Sequence, residues 1–271
     1  MHRILVIGSV CHDRIWLLDG PFTAGARLRF SDRRTQLGGG AYYTGRQLLD
    51  LDADVTLVTR LMDDEDGRAA RASLSAAGFD DAHITMAPGK TEPLEILLEP
   101  NGERTIIAPS RARSIPLEIS STLDADAAYV NAVHLGEKLV GDLEAIPLIV
   151  SQLPLDPATP RPADFVITSR SDVSNDISAA WHRARQVCGP RLRTLVVTDG
   201  PRPITLFDGR SNTNIQPPAT VEATDTIGAG DRFAGSFLLA ILQGHAPSSA
   251  AFEASRVTVD WLREKRLIAS T

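Results

Sequence analysis

Cysteine is scarce in this chain. Its 271 residues hold two, Cys11 and Cys188, with neither metal-ligand nor redox spacing, so thiolate metal sites drop out and a reducing cytoplasm is the expected location. The six histidines are scattered without a His-x-x-x-His pair, and no zinc site is expected. Nothing approaches the roughly 20 consecutive apolar residues that cross a bilayer. The N-terminus runs straight into an apolar strand, Ile4 to Ile7, with no signal-peptide pattern, so no membrane partner is expected. Positive charge is in deficit: 28 Lys and Arg stand against 34 Asp and Glu, a net charge of −6, which argues against nucleic acid as a partner. No Gly-x-Gly-x-x-Gly follows the first strand, which sets aside a dinucleotide-binding oxidoreductase. Repeats and interdomain linkers are also missing, so residues 1–271 read as one domain.

What the chain does contain is alternation. Apolar segments at Ile4–Ile7, Asp54–Thr59, Ala127–Val130, Asp164–Thr168 and Thr194–Thr198 are spaced by helical patterns. Such βα units predict an α/β fold whose mainly parallel sheet is covered on both faces. The acids Asp63, Asp64, Glu65 and Asp66 precede a helix with Ala70, Leu74 and Ala77 on one face; they read as a dipole cap rather than a metal site. Two stretches break the rhythm. Trp16 to Leu18 is too short for a helix, and Arg27 to Phe30 alternates like a half-exposed strand. Farther on, Asn101-Gly102 between Glu95–Glu99 and Arg104–Ile107 predicts a β-hairpin.

The most informative stretch is Asp225-Thr226-Ile227-Gly228-Ala229-Gly230-Asp231-Arg232-Phe233-Ala234-Gly235. Small residues 228–230 lead into a segment in which Phe233, Phe237 and Ile241 fall four apart, which is helical spacing, and Gly244 supplies a stop. A small-residue turn opening a helix leaves backbone N–H groups unpaired at the positive end of the helix dipole, which makes an anion site. Two readings stand at this point: that site, or an ordinary glycine turn with Asp231 as a dipole partner.

The whole string resembles the C-terminal signature of the ribokinase-like (PfkB) carbohydrate kinases. The resemblance implies a three-layer ribokinase-like fold with a small β-sheet lid, here contributed by about residues 14–36 and 91–108. It implies ATP and Mg²⁺ as cofactors, and Asp231 as the general base that takes the acceptor hydroxyl's proton. The N–H groups of Gly228, Ala229, Gly230 and Asp231 would form an anion hole for the transferred phosphoryl group. Gly38-Gly39-Gly40 is similar to the family's N-terminal signature, so Gly39 and Gly40 are expected to contact sugar hydroxyls, as is Asp13. Tyr43 stands where an asparagine is common. Asp225 matches the residue beside a monovalent-cation site, which implies K⁺ in some members, and Thr226 falls on the nucleotide side. The lid strands alternate, so one face should be apolar and need cover from substrate, core or a second subunit, and a homodimer through the lids is a further expectation.

The nucleotide side departs from the pattern. An Asn-x-x-Glu motif that helps to order Mg²⁺ reads Ser169 and Asp172 here, leaving Asp172 to meet Mg²⁺ through water. Of a Thr-x-Gly-x-x-Gly loop, Thr198 and Gly200 remain while Pro203 replaces the last glycine. The expectation is a kinase for a sugar, nucleoside or related polyol. The alternative is a catalytically impaired protein on the same scaffold that binds small molecules or regulates.

Overall fold

The computed structural model describes residues 1–109, 115–155, 157–173, 176–221 and 223–269, with residues 267–269 described by their backbone alone. Among them, nine strands form one sheet in the order β13-β12-β11-β10-β9-β8-β1-β4-β5. Its parallel strands are β1 (Arg3–Ile7), β4 (Asp54–Met62), β5 (Ile84–Ala87), β8 (Ala127–Val130), β9 (Leu148–Gln152), β10 (Phe165–Ser169) and β11 (Thr194–Asp199). At one edge β12 (Arg202–Phe207) and β13 (Asn212–Ile215) run antiparallel. Strands β1, β8 and β10 are buried at nearly every residue, as continuous apolar runs in a doubly covered sheet require.

One face is covered by α1 (Gly40–Asp50), α2 (Glu65–Ala76), α5 (Ala229–Leu242) and α6 (Pro247–Ala269), whose apolar residues join Ile4, Val6, Leu57, Tyr129 and Val150 in one core. The other is covered by α3 (Glu137–Leu143) and α4 (Ile177–Cys188), packed on Leu5, Ile7, Val130 and Val197. The acids before α2 behave as expected of a cap. The Asp64 carboxylate accepts the Gly67 N–H at 2.9 Å, and also the N–H and hydroxyl of Thr91 at 2.6 and 2.7 Å.

A separate four-stranded sheet, in the order β3-β2-β6-β7, forms a lid. It comprises β2 (Cys11–Leu18), β3 (Phe30–Gly38), β6 (Leu94–Leu98) and β7 (Arg104–Ile107). The hairpin at Asn101-Gly102 is present, with Gly102 at φ 85°. Residues 27–29 lie before β3 rather than within it. The strand instead continues through Asp32, Arg33 and Arg34, which are solvated on the lid and carry no apolar alternation to betray it. Ile15, Ile96 and Leu98 on the lid's inner face pack with Tyr43 and Ile227, seating the lid on the loops that precede α1 and α5.

Candidate active site

Strand order locates the site. From β1 the chain proceeds to β4 and β5 on one side and, later, to β8 and β9 on the other. The carboxyl ends of β1 and β8 therefore flank a topological switch point, where open α/β sheets form a crevice. Into it come Ser9 and Gly39-Gly40 from one side and Asn131 from the other. Gly39 caps α1 at φ 94°, and a Cβ there would meet the Ser9 carbonyl oxygen at 2.4 Å. Gly40 lies so close to Asn131 that an added Cβ would be 2.5 Å from its Cγ.

On the lid side of the crevice lies Asp13, only 2% exposed. Its Oδ1 has no hydrogen-bond partner among the described residues, and a buried, unsatisfied carboxylate oxygen is costly unless something occupies it. The Tyr43 hydroxyl lies 3.5 Å from Oδ2, a long contact. Gln36 Nε2 donates to that phenol oxygen at 2.8 Å, which leaves the phenol proton free to face Asp13. Burial pushes the Asp13 carboxyl up to about 6, Tyr43 works against this, and the charge of Asp231 adds to it. Burial and Asp13 likewise raise the Tyr43 phenol well above its ordinary range.

The start of α5 lies against Tyr43. Gly228 is left-handed at φ 85°, and its Cα rests on the Tyr43 ring. The N–H groups of Gly228, Gly230 and Asp231 have no partner among the described residues. Ala229 differs from the expectation: its N–H closes a turn on the Thr226 carbonyl at 3.1 Å, so the turn that shapes the loop removes one of the four expected donors. Thr44 Oγ1 donates to the Asp231 carbonyl at 3.0 Å, and Arg232 donates to Gln47 Oε1 at 2.6 Å; both tie α5 to α1. Burial raises the Asp231 carboxyl to about 6, opposed by Arg104 of the lid hairpin. Beneath it the fully buried Tyr129 has its phenol raised, by burial first and by the Asp231 charge second. Asn131 and Tyr129 were not singled out from sequence. Their signal was the position at the end of a parallel strand beside β1, which becomes visible only once strand order is known.

Other residues settle differently. Thr226 faces the lid, its Oγ1 3.4 Å from Arg104 Nη1. Ser169 and Thr198 are brought together as register partners across β10 and β11. Ser169 Oγ pairs with Ser171 Oγ at 2.8 Å, and Thr198 Oγ1 donates to the Thr168 carbonyl at 3.2 Å. Gly200, at φ 55°, turns β11 into β12. Asp172 sits exposed on a single helical turn, Arg170–Asp172. Among the described residues no three His, Cys, Asp or Glu side chains converge as a metal site. Asp225 does not fit a monovalent cation. Arg34 pairs with its Oδ2, Lys265 Nζ is 2.9 Å from Oδ1, and Oδ1 also accepts the Ile227 N–H at 3.0 Å. Burial alone would raise this carboxyl, but Lys265 and the other partners hold it below its ordinary value.

Comparison with known proteins agrees with this geometry. Residues 158–258 match the pfkB family carbohydrate kinase family. A putative ribokinase from Agrobacterium tumefaciens superposes with a TM-score of 0.76 at 20% identity, over 95% of this chain and 90% of that one. A Burkholderia thailandensis nucleoside kinase in complex with inosine gives 0.73 at 17% identity, over 94% and 89%. Arabidopsis thaliana ribokinase complexed with ribose and ATP gives 0.70 at 17%, over 95% and 91%. Together they show a ribokinase-like fold, with residues 158–258 similar to the pfkB carbohydrate kinases.

Proposed function

We propose that this protein transfers the γ-phosphoryl group of MgATP to a hydroxyl of a sugar, nucleoside or related polyol. The observation that carries the reading is the pairing of two carboxyls, the buried Asp13 and the half-buried Asp231, each raised to about 6 chiefly by desolvation, across one crevice from unpaired amides. A carboxylate with that pKa is ionised at neutral pH yet basic enough to take a hydroxyl proton as the transfer proceeds. Asp231 is the base. Asp13, with its vacant acceptor oxygen, receives a hydrogen bond from a second hydroxyl and orients the substrate, with Gly39 and Gly40 beside it. Tyr43, in place of an amide, offers a phenol proton and an aromatic edge.

Bound MgATP supplies the phosphoryl group and the divalent charge that offsets its oxygens. The chain's own part is positional: the N–H groups of Gly228, Gly230 and Asp231 receive the charge that develops on the transferred group, and Arg104 adds a cation on the same side. Ser169, Thr198 and Gly200 lie on the expected nucleotide side, with Asp172 reaching Mg²⁺ through water. The relatives carrying inosine, or ribose and ATP, support both donor and acceptor class.

The solvated Asp172 and the Ser169–Ser171 pairing favour a second reading, a binding or regulatory module. A panel of sugars, nucleosides and polyols with MgATP separates the two. Phosphoryl transfer to any member sustains the kinase; tight binding without transfer from ATP, GTP or ADP sustains the binder. The lid also supports a homodimer, because Phe30, Ile106 and Ile107 on its two edge strands are half-exposed or more. No described helix is long and apolar enough to cross a membrane, and a cytoplasmic setting is proposed with the kinase.

A further inference from the structure

We infer that the Lys265 ammonium serves as a built-in monovalent cation for the loop that enters the anion hole, so that this protein requires no K⁺. The loop 225–228 presents two oxygens to one point, Asp225 Oδ1 and the Ile227 carbonyl. Lys265 Nζ contacts both, at 2.9 and 3.3 Å. A carboxylate and a backbone carbonyl converging on one positive charge are the donors a hard monovalent ion would use, and an ammonium supplies the same charge with directed hydrogen bonds. The second carboxylate oxygen is taken by Arg34 of β3, which leaves no free carboxylate oxygen for a dissolved ion.

The ammonium is held in place from the helix side. Lys265 lies four residues after Trp261 on α6, so both project from one face. Nζ sits 4.8 Å from the indole centroid, a cation–π contact. A second cation against that indole is Arg232, 4.7 Å from the centroid, and Arg232 follows Asp231 directly. The side chain of Asp225 is 15% exposed and that of Lys265 27%, so the pair is shielded from competing ions. A tethered charge also persists whatever the ionic composition of the solution, whereas a bound ion dissociates by mass action. Lys265 is therefore a positioning residue. It touches no reacting atom, but it fixes the carbonyl of the residue whose successor, Gly228, opens the anion hole.

Thermal melting in KCl, NH₄Cl and choline chloride at matched ionic strength tests this without an acceptor or ATP. Wild type is expected to melt at the same temperature in all three. Lys265→Ala is expected to melt lower in choline and to recover, saturably, in K⁺ or NH₄⁺; Lys265→Arg should need no added cation. A structural salt bridge would lower the melting temperature of Lys265→Ala equally in all three salts, and that result overturns the inference. So does a wild type that K⁺ or NH₄⁺ stabilises over choline, a comparison that holds even if Lys265→Ala does not fold. The corollary for turnover, equal rates in K⁺ and choline, rests on the kinase reading; the melting result does not, so the two can fail separately.

Discussion

The ring of Tyr43 packs against the Cα of Gly228, so closely that a Cβ at 228 would lie 2.7 Å from the ring. One residue belongs to α1, the other caps α5. The contact fixes the spacing between the two helix starts, and in the proposed phosphoryl transfer such spacing and alignment would supply much of the catalysis.

Gly228→Ala should therefore affect both fold and function. The left-handed φ costs a non-glycine residue on the order of 1 kcal/mol, and the clash with Tyr43 adds to it. Tyr43→Leu should relieve part of the clash, making the double variant more stable than the sum of the single effects. Melting curves of all four proteins measure the coupling; strict additivity would show that the two residues do not press on each other.

Asp231→Asn should keep the melting temperature within a few degrees while acceptor-dependent turnover falls by about 10² to 10⁴. In wild type the same base should lose activity as pH drops below about 6, where the carboxyl protonates. Turnover within a few-fold of wild type in the variant would remove Asp231 from that role.

Asp13 predicts a trade of stability for binding. Its folded pKa of about 6 exceeds the ordinary 3.8, so the folded state holds its proton over a range where the unfolded chain has lost it. Wild-type stability from this group is complete below pH 4, falls as pH rises through about 6, and is then lost. The loss amounts to about 3 kcal/mol. Asp13→Asn should accordingly gain in melting temperature relative to wild type between pH 4 and pH 7, while acceptor binding weakens. A difference that stays constant across that range would refute the raised pKa.

On the nucleotide side, Ser169 stands at the end of β10 beside Thr198. Ser169→Asn would restore an amide donor and acceptor there, and should lower the KM for MgATP while leaving the acceptor KM nearly unchanged. Steady-state kinetics with both substrates varied decides it; an equal change in both constants would place Ser169 away from the nucleotide.

The lid proposal is checked by light scattering. Wild type should give twice the chain mass, and Ile107→Lys, on a half-exposed edge strand, should return it to one chain with little change in melting. A monomeric wild type at high concentration, with and without acceptor, would exclude the lid dimer.

Much of this was legible locally. The start of α5 at Ala229, the left-handed Gly228, the hairpin at Gly102 and the cap at Asp64 all depend on residues within one turn of each other, and small-residue turns, capping acids and helical spacing specify such features directly. By that local chemistry the sequence determined the α/β alternation and the glycine turn that opens α5 with Asp231 in its first turn. What tertiary structure alone decided are the partnerships across the chain. Arg34 meets Asp225 across 191 positions, Lys265 reaches the same carboxylate from the far end of α6, and Asn131 meets Gly40 because β8 lies beside β1. Ala229, locally a fourth amide donor, is taken by the Thr226 carbonyl in a turn whose closure depends on how the loop packs. These pairings follow from strand order and helix docking, which bury apolar faces without regard to which polar side chains arrive together, and no local pattern in the sequence encodes them.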